Sequence, residues 1–300
     1  MSGRGDGTLI RQLKALHARN PAARAVLSAP VSMRRKLIDW RSAPGLQVAQ
    51  TAAQRIADDV KLDMPEFDGQ FWCPPTSHLF RRIMLHNRYE PEVGALIREH
   101  VDPDRDMVDV GANIGFFSVL AARLMRQGRV LAVEPSGSAF ARLQRNIDLN
   151  RVSDRVTLFH GALSDHAGEA DLHQIDGKEE YASLAPIRHA AVADEPAQTQ
   201  PTKIETLDNL GEDLDLSPAL VKIDVEGAEM SVLHGAGRTI AKHRPVILCE
   251  LAGDLLDQFG TTPDAILQWL RERDYDIRDV ADPRRAPDSR LHGEIVCLPR

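Results

Sequence analysis

The sequence predicts an α/β fold in which seven mostly parallel strands form one sheet with helices on both faces, after an N-terminal helical extension. Short apolar strands alternate with amphipathic helical segments from about residue 90 to the C-terminus. One strand, 107–110, runs directly into a glycine-spaced turn, 111–115, that opens a helix. The next strand, 129–133, is followed by Glu134, where nucleotide-binding folds place the carboxylate that binds a ribose diol.

The predicted elements follow one another in a regular order along the chain. Helices are expected at 90–100, 115–127, 138–150, 228–242 and 263–273, and strands at 107–110, 129–133, 156–160, 169–175, 219–224, 246–251, 275–280 and 294–298. Residues 67–71 are typical of a hairpin turn between short strands. Residues 176–203 are rich in Ala, Pro, Gln and charged side chains, which predicts a long substrate loop or lid.

Composition limits the possible functions. The net charge of −7 argues against a general nucleic-acid-binding protein, and 300 residues with 43% hydrophobic content suit one large domain with an accessory segment. The three cysteines, Cys73, Cys249 and Cys297, form no Cys-x-x-Cys pair, so we expect reduced thiols in a cytoplasmic protein, with Cys249 in the core. The N-terminus lacks the apolar stretch of a signal peptide, and no apolar run suits a spanning helix.

The N-terminal segment differs from the rest in charge. Residues 1–60 carry ten Lys or Arg and four Asp or Glu, against 27 and 40 in the remainder. We therefore predict a basic helical accessory segment at 1–65 and a catalytic domain at 66–300. The basic cluster at 34–36 and Arg41 favours a solvated helix face. A peripheral contact with the inner membrane, an anionic-substrate patch and an oligomer contact remain alternatives.

The glycine turn is unlike a dinucleotide-binding loop. Counted from Gly111, the second and third glycine positions of that fingerprint hold Asn113 and Phe116. A loop of this kind suits a ligand that carries an amino acid in place of phosphates, with Asp109 holding its ammonium directly or through water and Gly115 allowing close approach. S-adenosylmethionine fits that description. The alternative is an ordinary strand–helix turn without a ligand.

Several segments together carry a resemblance to a known family. The chain resembles the FkbM-type S-adenosylmethionine-dependent methyltransferases in Tyr89-Glu90-Pro91, VDVGANIGFFSVLAA (108–122), VEP (133–135), RNIDLN (145–150), GALSD (161–165), VKIDVEGAEMSVLHGA (221–236) and ILCEL (247–251). This resemblance implies a Rossmann-like class I methyltransferase fold with an antiparallel closing strand. It also implies O-methylation, often of sugars or glycosylated products. It does not cover the first 65 or so residues and does not name the acceptor.

Further cofactor contacts are expected around the same edge of the sheet. After the third strand, Ala162 and Leu163 are placed to contact an adenine ring, and Ser164 and Asp165 to bond its edge. Asp165 is equally suited to capping a turn. Glu90 is a candidate partner for the cofactor's ammonium, or simply an acid at the start of a helix.

Acids also follow the fourth and fifth strands of the predicted sheet. Asp224 and Glu226 follow one strand and Glu250 ends the next, and the ends of parallel strands meet at one edge. Asp224 and Glu250 suit Mg²⁺ or another divalent cation that polarises an acceptor hydroxyl. Asp224 or Glu226 alternatively acts as a general base. A structural role in the helix that follows remains open for Glu226 and Glu229, and Lys222 is expected to position Asp224.

The residues at this edge predict S-adenosylmethionine as cofactor. The family resemblance implies a methyltransferase that acts on a hydroxyl of a sugar, glycolipid or glycosylated metabolite. N-methylation of a small molecule or lipid head group, a nicotinamide oxidoreductase and a non-catalytic scaffold are the alternatives. The expected partner is a small-molecule, carbohydrate or lipid acceptor. Candidate acceptor contacts are His86, Tyr181, His189 and Trp72.

Overall fold

The computed structural model describes residues 59–86, 88–175, 178–187, 192, 195–282, 287 and 293–300. The predictions for the N-terminal helices, the basic cluster and His189 lie outside these residues. The described chain forms two compact units, one of 59–62 with Cys73–Tyr89, the other of Asp63–Trp72 with Glu90–Arg300. The domain boundary at 65/66 therefore stays a prediction.

The smaller unit contains one described helix, α1 (His78–His86). Its buried face carries Leu79, Phe80 and Ile83. The Ser77 hydroxyl accepts a hydrogen bond from the Phe80 amide at 3.0 Å and donates one to the Pro74 carbonyl at 2.8 Å. The helix start is thus held by a serine in the usual capping role.

The larger unit is built on a seven-stranded sheet with the order β11-β12-β10-β9-β3-β4-β5. Its strands are β3 (Asp106–Val110), β4 (Val130–Glu134), β5 (Val156–His160), β9 (Pro218–Ile223), β10 (Val246–Leu251), β11 (Tyr275–Asp279) and β12 (Gly293–Pro299). The five strands from β10 to β5 are parallel, and β12 runs antiparallel to both its neighbours. The predicted fold class is confirmed, including the antiparallel closing strand.

Helices accompany this sheet, as expected for an α/β fold. They are α2 (Pro91–His100), α3 (Phe116–Leu124), α4 (Gly137–Leu149), α5 (Leu207–Asp213), α6 (Glu229–His234), α7 (Gly237–His243), α8 (Gly253–Leu256) and α9 (Pro263–Arg271).

The prediction of a single helix at 228–242 is wrong, because the chain forms two helices there, α6 and α7. At the break, a Cβ on residue 235 would lie 1.9 Å from the Ser164 carbonyl oxygen, so only glycine fits there.

A second sheet corrects the predicted loop at 176–203. Strands β6 (Ala162–Leu163), β7 (Gly168–Gln174) and β8 (Gln198–Glu205) form it in the order β6-β8-β7, with β7 antiparallel to β8. Residues 198–203 are therefore strand. Only Thr202 and Ile204 are buried in β8, and Pro201 is unusual within a strand, so the local pattern looked like a loop.

The short hairpin near residue 67 also differs in detail from the prediction. Its strands are β1 (Val60–Met64) and β2 (Gly69–Cys73), joined by a 3-10 turn at Pro65–Phe67. Residues 69–71 therefore belong to the second strand. Asp68, at φ +50°, is the left-handed residue of the turn.

The core lies between the central sheet and its helices. Val108, Val110, Leu131, Val221 and Ile223 are almost completely buried on three adjacent strands, which is why these strands read as continuous apolar runs. Cys249 lies in the same core, as predicted. All three cysteines are buried, and no disulfide joins them. In the described part of the chain, no helix is long and apolar enough to cross a membrane.

Candidate active site

The candidate site lies at the carboxyl ends of four adjacent strands. The strand order places β3 between β4 and β9, with β10 next to β9. The glycine turn after β3, Glu134 on β4 and the acids after β9 and on β10 therefore come to one edge of the sheet, where ligands bind in open α/β folds.

The glycine turn is shaped by a close approach of two main-chain segments. Gly111 has φ +78°, and a Cβ at this position would lie 1.8 Å from the Asp224 carbonyl oxygen. The backbone of Asp224 in turn donates from its N–H to the Val110 carbonyl at 3.1 Å. Only glycine fits here, and this contact joins the predicted cofactor loop directly to the predicted reaction centre.

Glu134 is held in place by backbone amides. Its two carboxylate oxygens accept hydrogen bonds from the N–H groups of Asn113 and Ser136, each at 2.8 Å, and the residue is 5% exposed. Asn113 itself has φ +48°, which turns its N–H toward the acid. A carboxylate has about four acceptor positions, so an acid oriented in this way is also suited to accept from a ribose diol.

Asp109 lies beneath this edge and is completely buried. The Ser118 hydroxyl donates to its Oδ2 at 2.6 Å, and its Oδ1 has no hydrogen-bond partner among the described residues. Lys222 Nζ lies 3.8 Å from Oδ1. Burial raises the pKa of Asp109, and the charge of Lys222 partly offsets this. Its contact with the ammonium of a cofactor stays a prediction.

Lys222 joins two carboxylates in the interior. Besides its approach to Asp109, its Nζ donates to Asp224 Oδ2 at 3.1 Å, and it lies 5.2 Å from the centre of the Phe117 ring. Burial lowers the pKa of Lys222, but the nearby carboxylates of Asp224, Asp109 and Glu90 outweigh burial and raise it. The lysine is therefore an ammonium, and its role in positioning Asp224 stays a prediction.

Asp224 and Glu250 form a proton-sharing pair. Their carboxyl groups are hydrogen-bonded, and the charge of Asp224, followed by burial, raises the pKa of Glu250 to about 11. Two carboxylates this close do not both ionise. Because Lys222 bonds Asp224, we assign the negative charge to Asp224 and the shared proton to Glu250 near neutral pH.

Glu226 lies in the loop between β9 and α6, and Glu229 is the first residue of α6. Burial, and then the charges of Asp224 and Glu229, raise the pKa of Glu226 well above its usual range. Glu229 Oε1 accepts from the N–H groups of Gly227 and Val225 at 3.1 and 3.3 Å. Burial raises the pKa of Glu229 to about 7. Glu229 thus bonds the loop that carries Asp224, while the role of Glu226 stays a prediction.

Glu90 also faces the acids. It is the N-cap residue of α2, with φ +39°, but its side chain makes no capping hydrogen bond. Its charge raises the pKa of both Lys222 and Glu250, which places its carboxylate near that pair. Its contact with a cofactor remains a prediction.

The donor set does not favour a metal ion. Among the described residues, no group of three or more His, Cys, Asp or Glu side chains is placed to hold one. Lys222 Nζ donates to Asp224 Oδ2, so a divalent cation bound to this carboxylate would lie beside an ammonium. The metal role of Asp224 and Glu250 stays a prediction, and no step below is derived through it.

Comparison with known proteins identifies the family. A family model described as the methyltransferase FkbM domain matches residues 109–277 of the 300-residue chain. The chain belongs to the FkbM methyltransferase family. It is therefore an enzyme of the methyltransferase class, and the nicotinamide oxidoreductase alternative is set aside. S-adenosylmethionine is the methyl donor that membership of this family implies.

Three relatives illustrate the range of this similarity. The chain is 31% identical over 169 residues to Methyltransferase 1 of Beauveria bassiana, covering 50% of this chain and 67% of that protein. It is 30% identical over 152 residues to the 2-O-methyltransferase NoeI of Sinorhizobium fredii, covering 47% of this chain and 61% of NoeI. It is 31% identical over 151 residues to the hexuronic acid methyltransferase AglP of Haloferax volcanii, covering 49% of this chain and 56% of AglP.

In this FkbM family member, the predicted adenine contacts lie at the start of the second sheet. Ala162 and Leu163 are buried in β6, and the Ser164 N–H donates to the Glu205 carbonyl at 2.8 Å. Asp165 is exposed and lies 2.6 Å from His166 Nδ1, a hydrogen bond that lowers the pKa of Asp165. The adenine contacts stay predictions.

The candidate acceptor residues are scattered. His86 is exposed on α1, and Tyr181 is buried in a small cluster with Ile175 and Val192. Trp72 is partly exposed, with the guanidinium of Arg145 5.1 Å from the centre of its ring. The contact of these residues with an acceptor is untested.

Sequence reasoning missed two residues that support the site. Ser118 is buried and bonds Asp109, and Asn146 is buried and donates to the Ile114 carbonyl in the glycine turn at 2.8 Å. The available signal was polarity on an otherwise apolar helix face, since both helices pack against the sheet.

Proposed function

We propose that this FkbM family member is an S-adenosylmethionine-dependent O-methyltransferase that acts on a hydroxyl of a sugar, glycolipid or glycosylated metabolite. The observation that carries the proposal is Asp224. It is bonded by the Lys222 ammonium and by Glu250, and its backbone touches the glycine turn. A carboxylate in this position serves a reaction that removes a proton beside a bound cofactor.

The residues on the β3–β4 side fit the cofactor. Glu134, fixed by two amides, is suited to bind the ribose diol, and Gly111 brings the turn against the main chain of Asp224. Asp109 and Glu90 are assigned to the ammonium of the ligand, and Ala162, Leu163 and Asp165 to the adenine. When bound, S-adenosylmethionine supplies a methyl group that its positively charged sulfur already activates.

The residues on the β9–β10 side fit the acceptor. A neutral hydroxyl is a poor nucleophile and reacts faster when a base takes its proton. Asp224 is the acid that carries charge in the pair with Glu250, so we assign it as the base. Glu250 keeps its own proton and a hydrogen bond to Asp224, while Lys222 holds the Asp224 carboxylate in place. Glu226 lies close enough for its pKa to respond to Asp224 and borders the acceptor.

The acids around Glu226 distinguish between the chemical groups that could accept the methyl group. Burial, and then the charges of Asp224, Glu229, Glu180 and Asp254, raise the pKa of Glu226, and we expect this cluster of acids to disfavour an acceptor carboxylate. A hydroxyl or an amine is not repelled, and N-methylation therefore remains the second candidate. The name of NoeI, a 2-O-methyltransferase, supports an oxygen as the methyl acceptor, and that of AglP, a hexuronic acid methyltransferase, supports a sugar-derived substrate.

The test uses the full chain in two steps. Calorimetric titration should show binding of S-adenosylhomocysteine and none of NAD. Methyl transfer from labelled S-adenosylmethionine is then measured with neutral glycosides, a glycoside uronic acid and aminosugars, with and without EDTA. Transfer to neutral hydroxyls that survives EDTA supports the proposal. Transfer only to carboxylates or amines would overturn transfer to a hydroxyl, and loss with EDTA would restore the metal role of Asp224 and Glu250.

A further inference from the structure

One segment of the larger unit lies against the glycine turn but is not part of the seven-stranded sheet. This segment, Asp63–Trp72, is called the arm below. Its Phe67 ring stacks on Phe116 at a centroid distance of 4.9 Å, and its Phe71 ring meets Phe116 edge-on at 4.5 Å. Phe116 is the first residue of helix α3. The arm therefore packs against the residue that directly follows the glycine turn.

Asn146 on α4 joins the arm to the glycine turn. Its Oδ1 accepts from the Trp72 N–H at 2.7 Å, and its Nδ2 donates to the Trp72 carbonyl at 3.1 Å and to the Ile114 carbonyl at 2.8 Å. The side chain is completely buried. The side-chain amide thus pairs with the N–H and the carbonyl of Trp72, as the main chain of a neighbouring strand would. Its other N–H bonds the Ile114 carbonyl in the turn.

Asn150, four residues later, repeats this arrangement without the turn. Its Oδ1 accepts from the Gln70 N–H at 3.0 Å, and its Nδ2 donates to the Gln70 carbonyl at 2.7 Å and to the Asn146 carbonyl at 2.8 Å. Residues four apart lie on the same helix face, and Gln70 and Trp72 lie on the same edge of β2. Both asparagines therefore make three hydrogen bonds with the side-chain amide, but only Asn146 reaches the turn.

We propose that Asn146 is a positioning residue for cofactor binding, which it supports by fixing the Ile114 carbonyl between Asn113 and Gly115. This inference rests on the proposed binding of S-adenosylmethionine at the turn. Asn113 has φ +48°, a left-handed backbone state that costs energy in a residue other than glycine and persists only where its surroundings hold it. The Asn113 N–H bonds Glu134, so a shift at Ile114 changes the orientation of the acid assigned to the ribose.

The matched variants are Asn146→Ala and Asn150→Ala. Each loses three hydrogen bonds and the same side-chain volume, so we expect similar falls in the melting temperature. Only Asn146→Ala should weaken S-adenosylhomocysteine binding, by about tenfold, the equivalent of losing one buried hydrogen bond to the turn. Its KM for S-adenosylmethionine should rise in parallel, while kcat at saturating cofactor stays within about threefold. Asn150→Ala should bind within about twofold of the wild type.

The outcomes separate this inference from the proposed function. A wild-type chain that binds no S-adenosylhomocysteine would overturn the cofactor assignment itself. Normal wild-type binding with equal losses in both variants, or with no loss in Asn146→Ala, would overturn only the role of Asn146.

Hydrogen exchange of the wild-type chain decides the question if Asn146→Ala does not fold. Binding of S-adenosylhomocysteine should slow exchange in the peptide that contains Gln70 and Trp72, because coupling between the turn and the arm is reciprocal. Slower exchange at residues 111–116 with no change in the arm would contradict the inference.

Discussion

The two sides of the site use the same residue type in opposite ways. Glu134 ends β4 with its oxygens bonded by two backbone amides. Glu250, near the end of β10, faces another carboxyl, and the charge of Asp224 raises its pKa to about 11. Amides stabilise the charged form of an acid, whereas a neighbouring carboxylate destabilises it. The first arrangement favours binding with a fixed charge, and the second favours moving a proton.

The largest effect on turnover is expected for Asp224, on the β9–β10 side of the site. Asp224→Asn removes the proposed base but keeps the shape of the side chain, so turnover should fall by about 10³-fold. Binding of S-adenosylhomocysteine should stay within about threefold. The matched control is Asp171→Asn, at an exposed position of β7, which should leave both quantities unchanged. Turnover within about tenfold of the wild type would show that another group takes the proton.

The pH dependence of stability should reveal the acid cluster. Glu229 has a pKa of about 7 in the folded chain against an ordinary 4.5, so the folded state binds more protons between these values. Its contribution to stability is complete below about pH 4.5 and is lost as pH rises through 7. Glu229→Gln, which keeps an acceptor for Val225 and Gly227, should remove that loss.

Urea unfolding at pH 5 and pH 8.5 measures this difference. The wild type should lose up to ~3 kcal/mol more than Glu229→Gln across the interval, an order-of-magnitude conversion of the shift. Equal losses in the two proteins would mean that Glu229 does not titrate in this range.

A substitution on the β3–β4 side of the site, where the cofactor is proposed to bind, should have a smaller effect and should not slow the methyl-transfer step. Glu134→Gln keeps one acceptor oxygen for the backbone amides but loses the charge that bonds the diol. Affinity for S-adenosylhomocysteine should fall about thirtyfold, or ~2 kcal/mol, with kcat at saturating cofactor nearly unchanged. A fall in kcat as large as that in affinity would mean that the two sides are not separate in function.

The smallest effect is expected for Ser183, which contacts the loop after β9. The Ser183 hydroxyl donates to the Glu226 carbonyl at 3.1 Å. Ser183→Ala should raise the KM for the acceptor by about fivefold, the equivalent of ~1 kcal/mol for one hydrogen bond. Thr199→Ala is the control, since Thr199 bonds His173 at 3.1 Å. Equal changes in both variants would remove Ser183 from acceptor binding.

The parts of the site that follow from strand order were predictable from the sequence. Glu134 was located because an apolar strand ends beside it. Asp224 and Glu250 were expected together because the ends of parallel strands share an edge. These inferences need only local patterns and one rule of topology, and the structure brings the three acids to that edge.

Other features depend on contacts between distant residues. Strand β8 gains its place from pairing with β7, and its own polar, proline-containing sequence favours a loop. Asn146 bonds Trp72, 74 residues away, and nothing near either residue predicts that partner. The sharing of a proton by Asp224 and Glu250 depends on distance and burial, neither of which a sequence pattern specifies.

The contact between Gly111 and the Asp224 carbonyl has a mechanical consequence. Strands β3 and β9 are hydrogen-bonded neighbours in parallel register, with Val110 opposite Ile223, and Gly111 and Asp224 are the first residues after them. If the proposed function is correct, the spacing between methyl donor and hydroxyl is set largely by the main chain of the sheet, which deforms little. Exchange of acceptor and product would then depend on movement of the elements around the sheet's edge.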